Sequence, residues 1–229
     1  MDVHPMSTAV LMMCDNRRQY TAESLASLAA NLPPDMKLFI HDDSMDRSFN
    51  SWLLELTEQL WHGDFEVIQP LTHKRGFGGA IQYAWQHIYD LGEFEYILHT
   101  ENDFTFNEPI NLVAMRRILD SDSTIAQVAL LRQSWSKREK MAGGVIPSYP
   151  AGAFRQHRNT EHSEFWTTNT SLLPMWVAGL GWPDGDESEG MFTAKLRKLG
   201  LHFAYYGGVE DPPRITHIGY DRVSEKAGY

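Results

Sequence analysis

Residues 95–106, EYILHTENDFTF, run an apolar stretch straight into Glu101, Asn102 and Asp103. The first half reads as a buried strand, and it delivers two carboxylates to its own end. Such carboxylates repel one another, and removing them from water is costly unless a positive charge compensates. A divalent cation that also holds a phosphate is one such compensation.

The chain on either side supplies a matching frame. TAVLMMC (8–14) reads as a strand and YTAESLASLAANL (20–32) as a helix. They are followed by KLFIH (37–41) as a strand, SWLLELTEQLW (51–61) as a helix and FEVIQ (65–69) as a strand. GGAIQYAWQHIYDL (78–91) repeats Ala80, Ile81, Ala84, Trp85, Ile88 and Leu91 at helical spacing, and YILHT (96–100) closes the series. The alternation predicts a mainly parallel sheet with helices on both faces. Sheets of this kind bind ligands at the carboxyl ends of their strands, where the strand order reverses.

The second half is less regular. TIAQVALL (124–131) reads as a strand, and residues 132–170, rich in polar residues, Gly and Pro, read as long loops. SEGMFTAKLRKLG (188–200) predicts a helix with Phe192, Leu196 and Leu199 on one face and Gly200 at its end. LHFAYYG and RITHI read as short strands.

Composition narrows the classes. The chain has 229 residues, long enough for a substantial core, and no apolar run near the 18 residues of a membrane span. The start, MDVHP, lacks the basic segment of a signal peptide. One cysteine, Cys14, excludes an internal disulfide and suits a reducing compartment, and its apolar surroundings predict a buried structural thiol. The expectation is a cytoplasmic protein without stable membrane insertion. A formal charge of −10 argues against a uniformly basic surface.

Each predicted strand end carries polar residues. DNRRQ (15–19) follows the first, HDDSMD (41–46) the second, THKRGFGG (72–79) the third and TEND (100–103) the fourth. Taken singly, each has a plain structural explanation. Asp42 or Asp43 would cap the next helix, KRGFGGA would be a strand-to-helix turn, and Glu101 and Asp103 would be turn residues. Together they place acids and a basic glycine loop along one rim, which suits a nucleotide diphosphate held by backbone N–H groups, cations and a metal.

These segments resemble GT-A glycosyltransferases of the family-two type. VLMMCDNRRQYTAESLASL is similar to that family's opening strand, Asn-Arg turn and helix. LFIHDDSMD resembles its uracil-contacting strand end, KRGFGGAIQYAW its third strand-to-helix junction, and LHTENDF its DXD metal motif. GLGWPDGDESEGMFTAKLRKLGLHFAYYG is similar to its acceptor-side segment and acidic catalytic helix. The likeness spans most of residues 7–220 in the same order, with Glu101 opening the metal motif and ESE in the catalytic helix. It implies one GT-A domain over 1–229, an α/β Rossmann-like nucleotide-binding fold. Residues 1–106 would bind the nucleotide sugar, and 107–229 the acceptor.

The resemblance further implies roles for individual residues. Asp42, or Asp43 beside it, would bond the uracil. Asn16 and Arg17 would lie against the nucleotide, with Lys74, Arg75 and Gly76 near the base or phosphates. Asp103 would ligate Mn2+ or Mg2+, with Glu101 and Asn102 at the ribose or metal shell. His217 would be a further metal ligand; alone it reads more readily as a satisfied strand histidine, and the rest of the site reverses that reading. Glu189, or Glu187 in its place, would be the base, although a solvated first-turn acid fits the same position. Trp182 would pack on the acceptor ring or in the core. The activity implied is inverting transfer from a UDP-sugar, glucose being the expected sugar.

The acceptor side has its own signal. Residues 132–158 hold Arg132, Lys137, Arg138, Lys140, Arg155 and Arg158 against one acid, Glu139, a local charge of +5. Trp135, Tyr149 and Phe154 are interleaved, as on surfaces that bind nucleic acid by phosphate contact and stacking. A loop paired with acidic neighbours, or closing over the donor, would account for the same charges. The chain also resembles small glycosyltransferases of tailed bacteriophages. That likeness implies glucosylation of 5-hydroxymethylcytosine in double-stranded DNA, with Arg132, Lys137, Arg138 and Arg155 on the acceptor and the base flipped out. Synthesis of a bacterial surface or lipid-linked saccharide, nucleotidyl transfer, and non-catalytic nucleic-acid binding are the other readings.

Overall fold

The computed structural model describes residues 8–131, 160–163, 166–185, 187–206 and 211–219. The first part follows the predicted alternation: β1 (Thr8–Cys14), α1 (Arg18–Asn31), β2 (Leu38–Asp42), α2 (Arg47–Leu60), β3 (Phe65–Ile68), α3 (Gly76–Leu91) and β4 (Tyr96–Glu101). Then come β5 (Phe104–Phe106), α4 (Leu112–Ser121), β6 (Ile125–Leu130), β7 (Thr160–Ser163), β8 (Ser171–Pro174) and α5 (Met175–Ala178). The described part ends with α6 (Ser188–Lys198), β9 (His202–Tyr206) and β10 (Ile215–His217).

Eight strands form one sheet in the order β3-β2-β1-β4-β8-β6-β9-β7, and β5 and β10 form a two-stranded ribbon beside it. The β1–β2, β2–β3, β1–β4 and β6–β9 pairs are parallel, and β8 runs antiparallel between β4 and β6. The order reverses at β1, which opens a crevice between the carboxyl ends of β1 and β4.

The strands are apolar on both faces because both are covered. Side chains alternate along β1: Val10, Met12 and Cys14 enter one core with Leu25, Leu28, Phe49 and Leu53 from α1 and α2. Ala9 and Leu11 enter the other, with Ile81, Trp85 and Ile88 from α3 and Phe192 and Leu196 from α6. Cys14 is buried and free, as its surroundings predict.

Three local expectations are corrected. The cap of α2 is neither Asp42 nor Asp43: Asp46 accepts from the Ser48 and Phe49 N–H groups. Residues 160–163, expected in a loop, form an edge strand against β9. Leu199 lies past the last turn of α6 and is exposed, unlike Phe192 and Leu196.

Trp182 belongs to the second core. Its ring meets Phe192 at 4.7 Å and Trp85 at 5.2 Å, and Trp166 closes the cluster. At 1% exposure it offers no face to an acceptor, so the acceptor-stacking role is withdrawn. Phe192→Ala is expected to destabilise the protein by about 3–5 kcal/mol, measured as a lowered urea midpoint with an unchanged slope.

Candidate active site

A cavity of about 220 Å³ opens at the reversal point. Met13, Cys14 and Asp15 line it from the end of β1, Asp43 from the end of β2, and Glu101 and Asn102 from the end of β4. Lys74, Gly76, Phe77, Ala80 and Ile81 close it at the start of α3. All four polar strand ends noted in the sequence thus meet at one place.

Their roles divide in ways the sequence left open. Asp42 is fully buried, with Oδ1 accepting from the Ser44 N–H (2.9 Å) and Oδ2 from Gln69 Nε2 (2.8 Å). Its oxygens are committed to the protein, and the cavity is lined by Asp43 instead. Asp43 accepts from the backbone N–H groups of Arg75 and Gly76, both at 2.9 Å. Burial raises its pKa, but His41 and these two donors outweigh burial and hold the carboxyl below its ordinary value. The carboxylate thereby fixes the entry to α3, where Gly76 takes φ +70°. Gly78, two residues on, approaches the backbone oxygens of Pro183 and Gly185 so closely that a Cβ would lie 2.9 Å from each.

The two cations of this loop also part company. Lys74 Nζ reaches both Asp15 oxygens at 2.7 Å at the cavity wall. The Arg75 guanidinium instead lies 4.0 Å over the Tyr83 ring, while its backbone N–H bonds Asp43. Asn16 is exposed and bonds Asp46 at 3.3 Å; its contribution is a left-handed φ of 43° that turns the chain before Arg17.

Arg17 grips the acidic turn. Its Nη1 donates to Asp103 Oδ2 at 2.6 Å and its Nη2 to Asn102 Oδ1 at 2.5 Å. Asn102 is buried and bonds Thr21 through its side chain and Met13 through its backbone N–H. His217 Nε2 lies 3.4 Å from the same Asp103 oxygen, because β10 pairs with β5 so that His217 stands opposite Phe104. Burial pushes Asp103 up, but His217 and Arg17 more than offset it, and its pKa sits below the ordinary value. Gly219 packs so tightly on this carboxylate that a Cβ there would overlap it.

Asp103 Oδ1 is buried and, among the described residues, has no hydrogen-bond partner. A carboxylate oxygen left unsatisfied beside an imidazole fits a hard divalent cation such as Mn2+ or Mg2+. Glu101 does not complete a protein triad: among the described residues no group of three His, Cys, Asp or Glu could hold a metal. Among the described residues, Asp103 and His217 are the pair that a cation could meet here, and most of a coordination shell would fall to ligand oxygens and water.

Glu101 instead faces the other half of the molecule. Burial and then the charge of Asp103 push its pKa up to about 8, with Glu189 adding to the rise and Thr168 and Arg17 opposing it. Glu189, in the first turn of α6, accepts from the Thr168 N–H at 2.9 Å, a favourable end for a carboxylate. Buried Gln127 holds this strip in place, donating to the Thr167 carbonyl and accepting from the Thr167 N–H. Glu187 is exposed and makes no side-chain cap, whereas Glu189 is held by Thr168 and its charge reaches Glu101. Nothing in the sequence marks Gln127 or Thr168, since neither is charged nor set in a motif. Arg132, Lys137, Arg138 and Arg155 lie outside the described residues.

Comparison with solved structures places the chain. A mannosyltransferase from Pyrobaculum calidifontis, in complex with GDP-Man and Mn2+, superposes with a TM-score of 0.64 at 15% identity, over 90% of this chain and 57% of that one. Residues 1–349 of S. aureus TarS give 0.61 at 16% identity, over 96% and 63%. The fold is the GT-A fold. GalNAc-T7 with UDP, GalNAc and Mn2+ matches equally, at 0.61 and 11% identity over 93% and 44%. This GT-A chain spans less than two thirds of the length of each, and at these identities the likeness is one of fold. No family model and no curated protein matches the sequence. No helix among the described residues is long and apolar enough to cross a membrane.

The carboxylates predict a pH signature of the metal-free protein. Glu101 binds its proton more tightly folded than unfolded, so stability falls as pH rises from about 4.5 towards 8. Asp43 and Asp103 have the opposite sign: their contribution is present above the ordinary carboxylate pKa and is lost as pH falls below it. Melting temperatures measured in chelator should decline from pH 5 to 8, and Glu101→Gln should flatten that decline.

Proposed function

We propose that this protein transfers a sugar from a UDP-sugar, glucose being the favoured one, to an acceptor hydroxyl with inversion at the anomeric carbon. The observation that carries the reading is the cavity at the carboxyl ends of β1, β2 and β4. Glu101, Asn102 and Arg17 line it; Arg17 holds Asp103, which pairs with His217, and Glu189 is near enough to Glu101 for its charge to raise that carboxyl's pKa. Asp103 and His217 would hold Mn2+ or Mg2+, which when bound supplies Lewis-acid stabilisation of the leaving diphosphate. Lys74 and Arg17 add positive charge beside the same cavity.

Glu189 is the base in this scheme. It takes the proton of the acceptor hydroxyl while that oxygen bonds to the anomeric carbon; the bond from carbon to diphosphate oxygen breaks, and UDP leaves. The Thr168 N–H orients the Glu189 carboxylate. Asp43, through its hold on Arg75 and Gly76, keeps the glycine loop at the donor site and replaces Asp42 as the acid nearest the nucleobase.

For the acceptor, we favour 5-hydroxymethylcytosine in duplex DNA. Support comes from the +5 charge and interleaved aromatics of residues 132–158 in a chain of −10. Release of UDP from several UDP-sugars with Mn2+, with and without hydroxymethylated DNA, tests donor and acceptor together. Stimulation by that DNA, weakening with salt, is the expected result. UDP release only with a saccharide acceptor would replace the DNA assignment, and pyrophosphate release would replace sugar transfer altogether. Glu189→Gln should lower kcat roughly 10²- to 10⁴-fold with little change in UDP affinity, whereas Glu187→Gln should stay near wild type.

A further inference from the structure

Arg17 already neutralises Asp103 before any cation arrives. Its guanidinium bonds the carboxylate of one residue of the acidic turn and the amide of the other, and Asn102 is itself anchored to Thr21 and Met13. Neither partner is free to swing, since Arg17 and Asp103 are 19% and 7% exposed. Two polar atoms remain unspent in this arrangement: Asp103 Oδ1 and Arg17 Nε are both buried without a partner among the described residues. One is an acceptor suited to a metal and the other a donor suited to an anion, and Arg17 lines the cavity proposed for the diphosphate.

On the premise of the sugar-transfer reading, we infer that Arg17 is a positioning residue that makes divalent-cation binding at Asp103 conditional on a nucleoside diphosphate. A carboxylate paired with a guanidinium is close to neutral, so it attracts a free dication weakly. The fixed positive charge beside it also repels the newcomer. A nucleoside diphosphate reverses that balance. Its negative charges face the dication and the guanidinium together, and the spare Arg17 N–H has an acceptor. Binding of metal and nucleotide is therefore coupled through one side chain, and the coupling is reciprocal.

The test is titration of Mn2+, followed by the paramagnetic resonance of the free ion, into wild type, Arg17→Gln and Arg17→Lys, each with and without UDP. Wild type should bind Mn2+ at least about tenfold more tightly with UDP, within the ordinary range of coupled sites. Arg17→Gln should bind Mn2+ without UDP about tenfold more tightly than wild type does, and lose most of the UDP dependence. Arg17→Lys keeps the charge and should retain the coupling. UDP without metal should bind Arg17→Gln more weakly than wild type. Melting curves identify folded variants, and Arg17→Met takes the place of Arg17→Gln if that protein does not fold. The inference is overturned if a folded neutral variant binds free Mn2+ no more tightly than wild type. Failure of the sugar-transfer reading looks different, since then wild type would bind no Mn2+ even with UDP, and the inference would fall with it.

Discussion

Neighbouring parallel strands stand only about 4.8 Å apart, so acids placed at their carboxyl ends crowd into one low-dielectric corner. Every other feature of this rim is a response to that crowding. Asp42 is satisfied by Ser44 and Gln69, Asp43 by two N–H groups at the start of α3, and Asp103 by Arg17 and His217. Burial, and then the charge of Asp103, outweigh what Thr168 and Arg17 offer Glu101, and its pKa rises accordingly. The order of satisfaction separates structural acids from those with capacity left over. Asp42 has none, whereas Asp103 keeps one oxygen unspent.

The first half of the fold was legible because its signals are redundant. β1 to β4 are apolar runs bounded by polar turns, and α1 to α3 bury faces at a helical period. The elements that escaped notice lack one of those signals. In α4 a pair of arginines, Arg116 and Arg117, interrupts the apolar face, although Met115, Ile118 and Leu119 are buried. β8 is four buried residues with no alternation, too short to tell from a loop. β7, TEHS, is polar throughout, as an edge strand is free to be. Its pairing with β9 is a tertiary fact.

Within the site, charge was legible and orientation was not. Adjacent Asp42 and Asp43 are equivalent as letters, but Asp42 ends β2 and is consumed by its neighbours, whereas Asp43 stands one residue beyond and reaches the α3 entry. Lys74 and Arg75 differ in the same manner, one at the cavity and the other stacked on Tyr83. Trp182 could be placed only by knowing that Trp85, Trp166 and Phe192 surround it. Gln127 shows the converse case. A buried neutral side chain in a strand, it sets the strip 167–168 that meets Glu189, and nothing local marks it.

The meeting of Asp103 and His217, 114 positions apart, depends on register in a ribbon of only two strands. Because side chains alternate, a slip of one residue would turn His217 to the opposite face and present a neighbour to Phe104 instead. Three bonds from one side of the ribbon oppose the slip. The Asn107 N–H donates to the Arg214 carbonyl, Asn107 Nδ2 to the Pro213 carbonyl, and Thr216 Oγ1 to Asn107 Oδ1. The Ile218 N–H then bonds the Asp103 carbonyl, and Gly219 leaves room for the carboxylate. The backbone and amide of Asn107 thus help fix which face of β10 looks at the acidic turn. The second half of the chain therefore reaches the acidic turn through backbone pairing, which brings the His217 imidazole to the Asp103 carboxylate.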